Sequence, residues 1–454
     1  MSHPAPNHPV VPRRSAAAAV ALGAAVLVGI VGSAAGSVQA AAPVHAGRQM
    51  TDRVSVSSAG VQGNAMSAEQ AISADGRYIA FESDASNLVA GDTNKATDVF
   101  VQDRRTGSTS RVSIASNGGQ GSGGYPAISA DGRYVTFVSY SSTLVRGDTN
   151  EAADIFVRDR KTGTTSRVSV ARGGGQGNAI SFAPDISADG RYVTFLSDAS
   201  DLVPADTNDM TDVFVRDRRT GTTSRINLSA TGLQADNISS STAINADGRY
   251  VTFSSTASNL VPGDTNSVED VFVRDLRTSA TTRISVSSTG TQANGWAAVP
   301  AISADGRYVT FSSTASNLVP GHTDQSWDVF VRDLRTSTTT WVSASTLGTE
   351  GDSAVGSLRS VISADGRYVC FMSTAGNLVS GDTNDVEDVF VRDLRTGITT
   401  RASVSRIGIQ ANGDSRLPQI SADGRYITFF SYASNLIAAD TNREADVFVH
   451  RNVR

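Results

Sequence analysis

Ile128-Ser129-Ala130-Asp131-Gly132-Arg133-Tyr134-Val135-Thr136-Phe137 decides the fold, because close copies of this stretch occur seven times in the chain. The loop Gly147-Asp148-Thr149-Asn150 follows it, and then Asp154-Ile155-Phe156-Val157-Arg158-Asp159. The turn aspartate recurs as Asp75, Asp131, Asp189, Asp247, Asp305, Asp365 and Asp423, at spacings of 56, 58, 58, 58, 60 and 58 residues. Inside every copy the offsets hold. The Asp-Thr-Asn loop begins 17 residues after the turn aspartate, and the Asp-Val-Phe run begins 23 after it. A constant period marks a repeat architecture, in which each unit buries its apolar surface only against its neighbours.

Each copy carries four strand signals. Strand a ends in Ile-Ser before the turn, as at 126–129. Asp131-Gly132 predicts a two-residue type I′ hairpin, whose central residues both take positive φ. Strand b, at 133–137, is rich in β-branched and aromatic residues. A long loop leads to strand c at 154–158, and a turn at Thr162-Gly163 leads to strand d at 165–170. Four antiparallel strands per repeat make one propeller blade. Ile128, Tyr134, Phe137, Leu144, Val145, Phe156 and Val157 suit sheets covered on both faces. The last copy stops after strand c, at 446–449, whereas 51–57 reads as a strand d with no blade of its own. The expected fold is all-β: a seven-bladed β-propeller of four-stranded antiparallel blades over 47–454, closed by the N-terminal strand joining the last blade.

Residues 1–46 differ from the rest. Arg13 and Arg14 precede an Ala-rich apolar run over 15–36, and small-residue cleavage patterns follow at Val38-Gln39-Ala40 and Val44-His45-Ala46. This predicts a signal peptide cut near 40 or 46, and a secreted or extracytoplasmic protein. The run is long enough for an uncleaved membrane anchor, but its weak Ala/Gly hydrophobicity favours cleavage. Removing it leaves 37 basic against 44 acidic residues, a shift in net charge from −5 to −7. An acidic body argues against nucleic acid or an anionic membrane as partner. Cys370 is the only cysteine, so no intramolecular disulfide forms. Packing and ring closure must hold the body together, and a monomer is expected.

The sequence at 303–311, followed by Asp-Val-Phe-Val-Arg-Asp at 328–333, resembles the repeat of TolB-type β-propellers, in which Ser-Pro-Asp-Gly-Lys/Arg precedes an Ile-Ala-Phe strand. The resemblance extends over every blade and implies an exported scaffold that binds other proteins. Alanine stands where the family has proline, as at Ala74 and Ala130, and isoleucine replaces the usual tryptophan before the turn.

Strand alternation puts the a–b and c–d turns on one face. The longer, more varied b–c loops and inter-blade crossovers lie on the other face, where binding of a protein or glycan partner is expected. The b–c loop presents Asp, Asn and Asp at relative positions one, three and seven. These are Asp92, Asn94 and Asp98; Asp148, Asn150 and Asp154; Asp206, Asn208 and Asp212; Asp264, Asn266 and Asp270; Asp382, Asn384 and Asp388; Asp440, Asn442 and Asp446. Such hard oxygen donors partly match a calcium loop, so calcium is the one cofactor the sequence offers. The glycine and bidentate acid of an EF-hand loop are missing, however. Asp and Asn also fold back on their own backbone to fix turns, which is the simpler reading. The fifth copy departs, with His322 in the first of these places. It also carries Trp296 in its entering crossover and Trp327 in its b–c loop. Exposed side by side, these two would stack on a sugar ring or anchor a partner; otherwise each packs under its loop. Trp341 takes the strand-d place that arginine holds in other blades.

Catalytic sets are sparse. No Gly-x-Ser-x-Gly elbow occurs, and only His322 and His450 lie beyond residue 46. A histidine-based triad or a multi-histidine metal site is therefore not expected. That disfavours the manganese-dependent oligogalacturonate lyases, whose propeller repeats look similar but which need clustered histidines. Cys370 occupies the strand-b place of Thr136 and reads as core. Carboxylates such as Glu82 and Asp84, or Asp198 and Asp201, are the remaining catalytic candidates for a glycosidase or lyase. The leading expectation is a non-catalytic scaffold that binds through its longer-loop face. A carbohydrate-active enzyme is the alternative.

Overall fold

Within this computed structural model, residues 51–323, 325–352 and 357–452 are described; the predicted signal peptide at 1–46 lies outside them. The described residues form seven four-stranded antiparallel sheets, one per cassette. In blade 1, strand a (Ser67–Ile72), strand b (Tyr78–Ser83), strand c (Asp98–Asp103) and strand d (Ser108–Arg111) pair in that order. Phe81 and Phe100 stand opposite each other on strands b and c, ring centroids 5.9 Å apart. The pair recurs through to Phe429 and Phe448 at 6.0 Å. No blade has a core of its own: Val99, Val101 and Val112 of blade 1 pack with Phe137 and Phe156 of blade 2. The a strands touch one another in sequence, and that of blade 7 (Ser415–Ile420) meets that of blade 1, so they line a central channel. The ring closes as expected. Thr51–Arg53 pairs with strand c of blade 7 (Asp446–Arg451), setting Thr51 opposite His450.

The a–b turn differs from the type I′ hairpin. Of its central residues only Gly132 has positive φ, at 70°. Gly132 N–H donates to Ser129 O at 2.9 Å, so Ala130 and Asp131 are the middle of a type I turn. Asp131 Oδ1 holds that turn by accepting from Ser129 Oγ at 2.7 Å and Arg133 N–H at 2.9 Å. Ala130 N–H is thereby free to donate to the carbonyl of Ala188 in the next blade, at 3.0 Å. The same bond runs from Ala188 to Ala246, Ala304, Ala364, Ala422, Ala74 and back to Ala130, each between 3.0 and 3.3 Å. This closed circle requires a residue other than proline at each of these places, because proline has no N–H to give. The turn glycine is needed for packing too. A Cβ on Gly132 would lie 2.2 Å from the Tyr78 ring of the preceding blade.

Strand d is shorter than the sequence pattern predicts, covering Thr164–Arg167 in blade 2. Beyond it the chain leaves the sheet as a small outward hairpin, bridged between Val170 and Gln176, that clasps the following blade. In the clasp onto blade 5, Arg332 Nη1 donates to Ser287 O at 2.9 Å and Thr339 Oγ1 to Val286 O at 2.6 Å.

Candidate functional site

The Asp-Thr-Asn loops are fixed by an arginine on strand d. Arg111 Nη1 lies 3.0 Å from Asp92 Oδ1 and 3.2 Å from Asp98 Oδ2. Arg401 joins Asp382 and Asp388 at 2.8 and 3.1 Å. Arg167, Arg225, Arg283 and Arg53 of the N-terminal strand do the same for Asp148/Asp154, Asp206/Asp212, Asp264/Asp270 and Asp440/Asp446. Each asparagine ties its loop to the next crossover: Asn94 Nδ2 donates to Gly121 O at 2.6 Å, and Asn150, Asn208, Asn266, Asn384 and Asn442 make the equivalent bond. A guanidinium thus supplies the positive charge between the two carboxylates, where a calcium ion would have to supply it. That arrangement of carboxylates suits the guanidinium better than a calcium ion. Among the described residues no group of three or more His, Cys, Asp or Glu is placed to hold a metal ion.

Blade 5 replaces this cluster in a concerted way. His322 Nε2 lies 2.9 Å from Asp328 Oδ2, and Trp341 Nε1 donates to Asp328 Oδ1 at 3.2 Å and to Ser343 Oγ at 3.0 Å. The His322 and Trp341 rings meet edge to face at 5.2 Å. His322 is only 3% exposed, so it is part of the loop's interior and not of a surface platform. Trp296, by contrast, is 48% exposed, its backbone pinned by bonds from N–H to Thr314 Oγ1 (3.1 Å) and from Thr314 N–H to its carbonyl (2.9 Å). Trp327 is half-buried. It and Thr314 are the residues just beyond the Ser313–Asp328 pair of strands b and c, so both tryptophans sit at the longer-loop end of the same sheet.

The blades also differ along the channel. Strand a pairs irregularly with strand b, and this bulge falls near the residue six before the turn aspartate. That residue is Glu69, Tyr125, Ala183, Ser241, Val299, Arg359 and Leu417 in blades 1 to 7. Six of them, all but Ser241, have positive φ, between 43° and 53°. Non-glycine residues rarely take this conformation, and bulges of this kind re-aim side chains. Arg359 Nη1 of blade 6 lies 3.9 Å from Glu69 Oε2 of blade 1, with blade 7 between the two sheets. Glu82, on strand b of blade 1, accepts Tyr125 N–H at 2.9 Å. Burial pushes the Glu82 carboxyl up to about 7, with Glu69 and Asp84 adding repulsion. Burial also raises the Glu69 carboxyl, against the pull of Arg359. Tyr125 and Tyr140 nearby are 54% and 68% exposed.

Of the paired carboxylates read from the sequence, Asp84 and Asp198 accept from Thr97 Oγ1 and Thr211 Oγ1, each at 2.6 Å, and Asp201 accepts Asn178 N–H at 3.0 Å. All three fix loops. Glu69, Tyr125 and Arg359 escaped the motif search because they match no motif. The signal that would find them is chemical variation at one offset in an otherwise repeated cassette.

No family model and no curated protein matches the chain. Among solved structures it is similar to an oligogalacturonate lyase from Vibrio parahaemolyticus, at 11% identity and a TM-score of 0.54, covering 89% of this chain and 97% of the other. The β-propeller domain of the Trilobed protease from Pyrococcus furiosus gives 9% identity and a TM-score of 0.52 over 85% and 95% of the two chains. That domain is described as having an open velcro topology, whereas here the N-terminal strand closes blade 7. TolB from Acinetobacter baumannii is also a structural neighbour, at 13% identity over 84% and 82% of the chains, with a TM-score of 0.38. At these identities the shared property is the propeller fold.

Proposed function

We propose that the chain is an exported, monomeric, non-catalytic propeller that binds a protein or glycan at its longer-loop face, over the mouth of the channel. One observation carries this reading. The repeated polar groups are consumed in holding each blade together, while the residues that change from blade to blade gather at the channel and its rim. Trp296, Tyr125 and Tyr140 are exposed there, and aromatic side chains of this kind supply rigid contact area to sugar rings and protein partners alike. Glycan-array and pull-down screening with the wild type, Trp296→Ala and Tyr140→Ala tests it. A ligand retained by the wild type and lost by the variants supports the reading; turnover of a substrate with no stable binding overturns it.

A second reading rests on Glu82. A carboxyl held near neutrality beside Glu69 and Tyr125 is the type of group that a carbohydrate-active enzyme uses as general acid. Under that reading Glu82→Gln abolishes turnover of an oligosaccharide while Trp296→Ala leaves residual activity.

A further inference from the structure

Six blades carry one device on the short-turn face. In blade 2, Arg133 Nε and Nη2 fork onto Asp159 Oδ1 and Oδ2 at 2.9 and 2.7 Å, and the guanidinium carbon lies 4.6 Å from the centre of the Tyr134 ring. Asp159 ends strand c and also caps the c–d turn, accepting Lys161 N–H at 2.9 Å. Blade 7 has no c–d turn, because its outer strand comes from the other end of the chain. The capping aspartate is gone with it: Arg451 stands in its place opposite Tyr426. Arg425 turns instead to the aspartate of its own turn, Nε to Asp423 Oδ2 at 3.1 Å, and stays 59% exposed. Arg104 of blade 1 covers the Tyr426 ring at 4.3 Å. Arg104, Arg425 and Arg451 therefore stand round one tyrosine, where the other six blades have a strand-c aspartate, and Arg451 is exposed.

We propose that this seam binds a carboxylate ligand, held by Arg425 and Arg451 where the strand-c aspartate sits in the other six blades. The planar guanidinium fork is matched to two coplanar oxygens, and the other blades show that geometry made six times within the same chain. Local positive charge on an otherwise acidic body also draws an anion to this spot. The site lies on the face opposite the proposed partner-binding surface and does not depend on it.

The test is thermal unfolding of the full chain titrated with citrate at constant ionic strength, with inorganic phosphate as a parallel series. The wild type should show a saturable rise in melting temperature with citrate. Arg451→Asp restores the fork of the other blades, and should weaken the apparent affinity by about tenfold or more with the far-ultraviolet dichroism unchanged. Arg425→Gln should do the same, giving the comparison a second variant if Arg451→Asp folds poorly. Arg219→Gln, an exposed arginine on blade 3, should titrate like the wild type. A response that never saturates, or one that both seam variants retain in full, overturns the proposal. Phosphate saturating at lower concentration than citrate overturns the assignment to a carboxylate.

Discussion

Replacing Ala130 by proline sets two effects against each other at one residue. Ala130 occupies the first central position of a type I turn, where proline is favoured. Proline there also lowers the entropy of the unfolded chain, a stabilisation of about 0.4–1 kcal/mol. Against this stands the 3.0 Å bond from Ala130 N–H to Ala188 O, which proline cannot make. Leaving a half-buried carbonyl without its donor costs about 1–3 kcal/mol. The inter-blade bond should win, for a net loss of about 1.3 kcal/mol between the middles of the two ranges. Equilibrium urea unfolding reads this as a lower midpoint with an unchanged slope. Ala130→Ser keeps the N–H and should leave the midpoint near that of the wild type. A midpoint that rises or stays level in Ala130→Pro would mean that the alanine circle contributes nothing to stability.

His450 should make the ring closure sensitive to acid. Thr51 Oγ1 donates to Val404 O at 2.5 Å and so accepts from His450 Nδ1 at 3.0 Å; burial lowers the imidazole from its ordinary 6.5 to about 4. Above pH 6.5 the ring is neutral in both folded and unfolded states and has no effect. As pH falls from there towards 4 the unfolded chain takes the proton first, so stability drops by up to about 3 kcal/mol. His450→Gln should lose this part of the pH dependence; identical pH profiles for the two proteins would contradict it. Arg401→Ala strands Asp382 and Asp388 without a cation and should cost about 3–5 kcal/mol in urea unfolding. A calcium chelator should leave the wild-type melting temperature unchanged, and a drop on chelation would put an ion in these loops. Phe195→Ala opens a void beside Phe214, whose ring lies 5.7 Å away, and should cost about 3–5 kcal/mol.

The sequence was most legible where one physical demand repeats. Phenylalanines at fixed places on strands b and c predict the sheets, and the missing strand d after Val449 predicts how the ring closes. The a–b turn was harder to read, because Asp-Gly is compatible with more than one turn type. Here Asp131 Oδ1 holds the type I form by accepting from Ser129 Oγ and Arg133 N–H, and the bond that Ala130 N–H then makes to another blade is one that no local pattern contains. The b–c loops illustrate a related limit. Asp92, Asn94 and Asp98 spell a row of ligand oxygens, but their counter-charge, Arg111, comes from strand d, and only the fold brings it across. Glu69 and Arg359 lie 290 residues apart in the chain and meet only because blades 1 and 6 both face the channel.

The pairing of Thr51 with His450 has a mechanical consequence. In the antiparallel seam the start of one strand, Thr51, lies beside the end of the other, His450, at the edge of the short-turn face. Tension applied through both ends would therefore open the seam one rung at a time, starting at Thr51, instead of loading all its hydrogen bonds together. A tether on either end would hold the molecule by that same edge and leave the opposite opening of the channel facing outward.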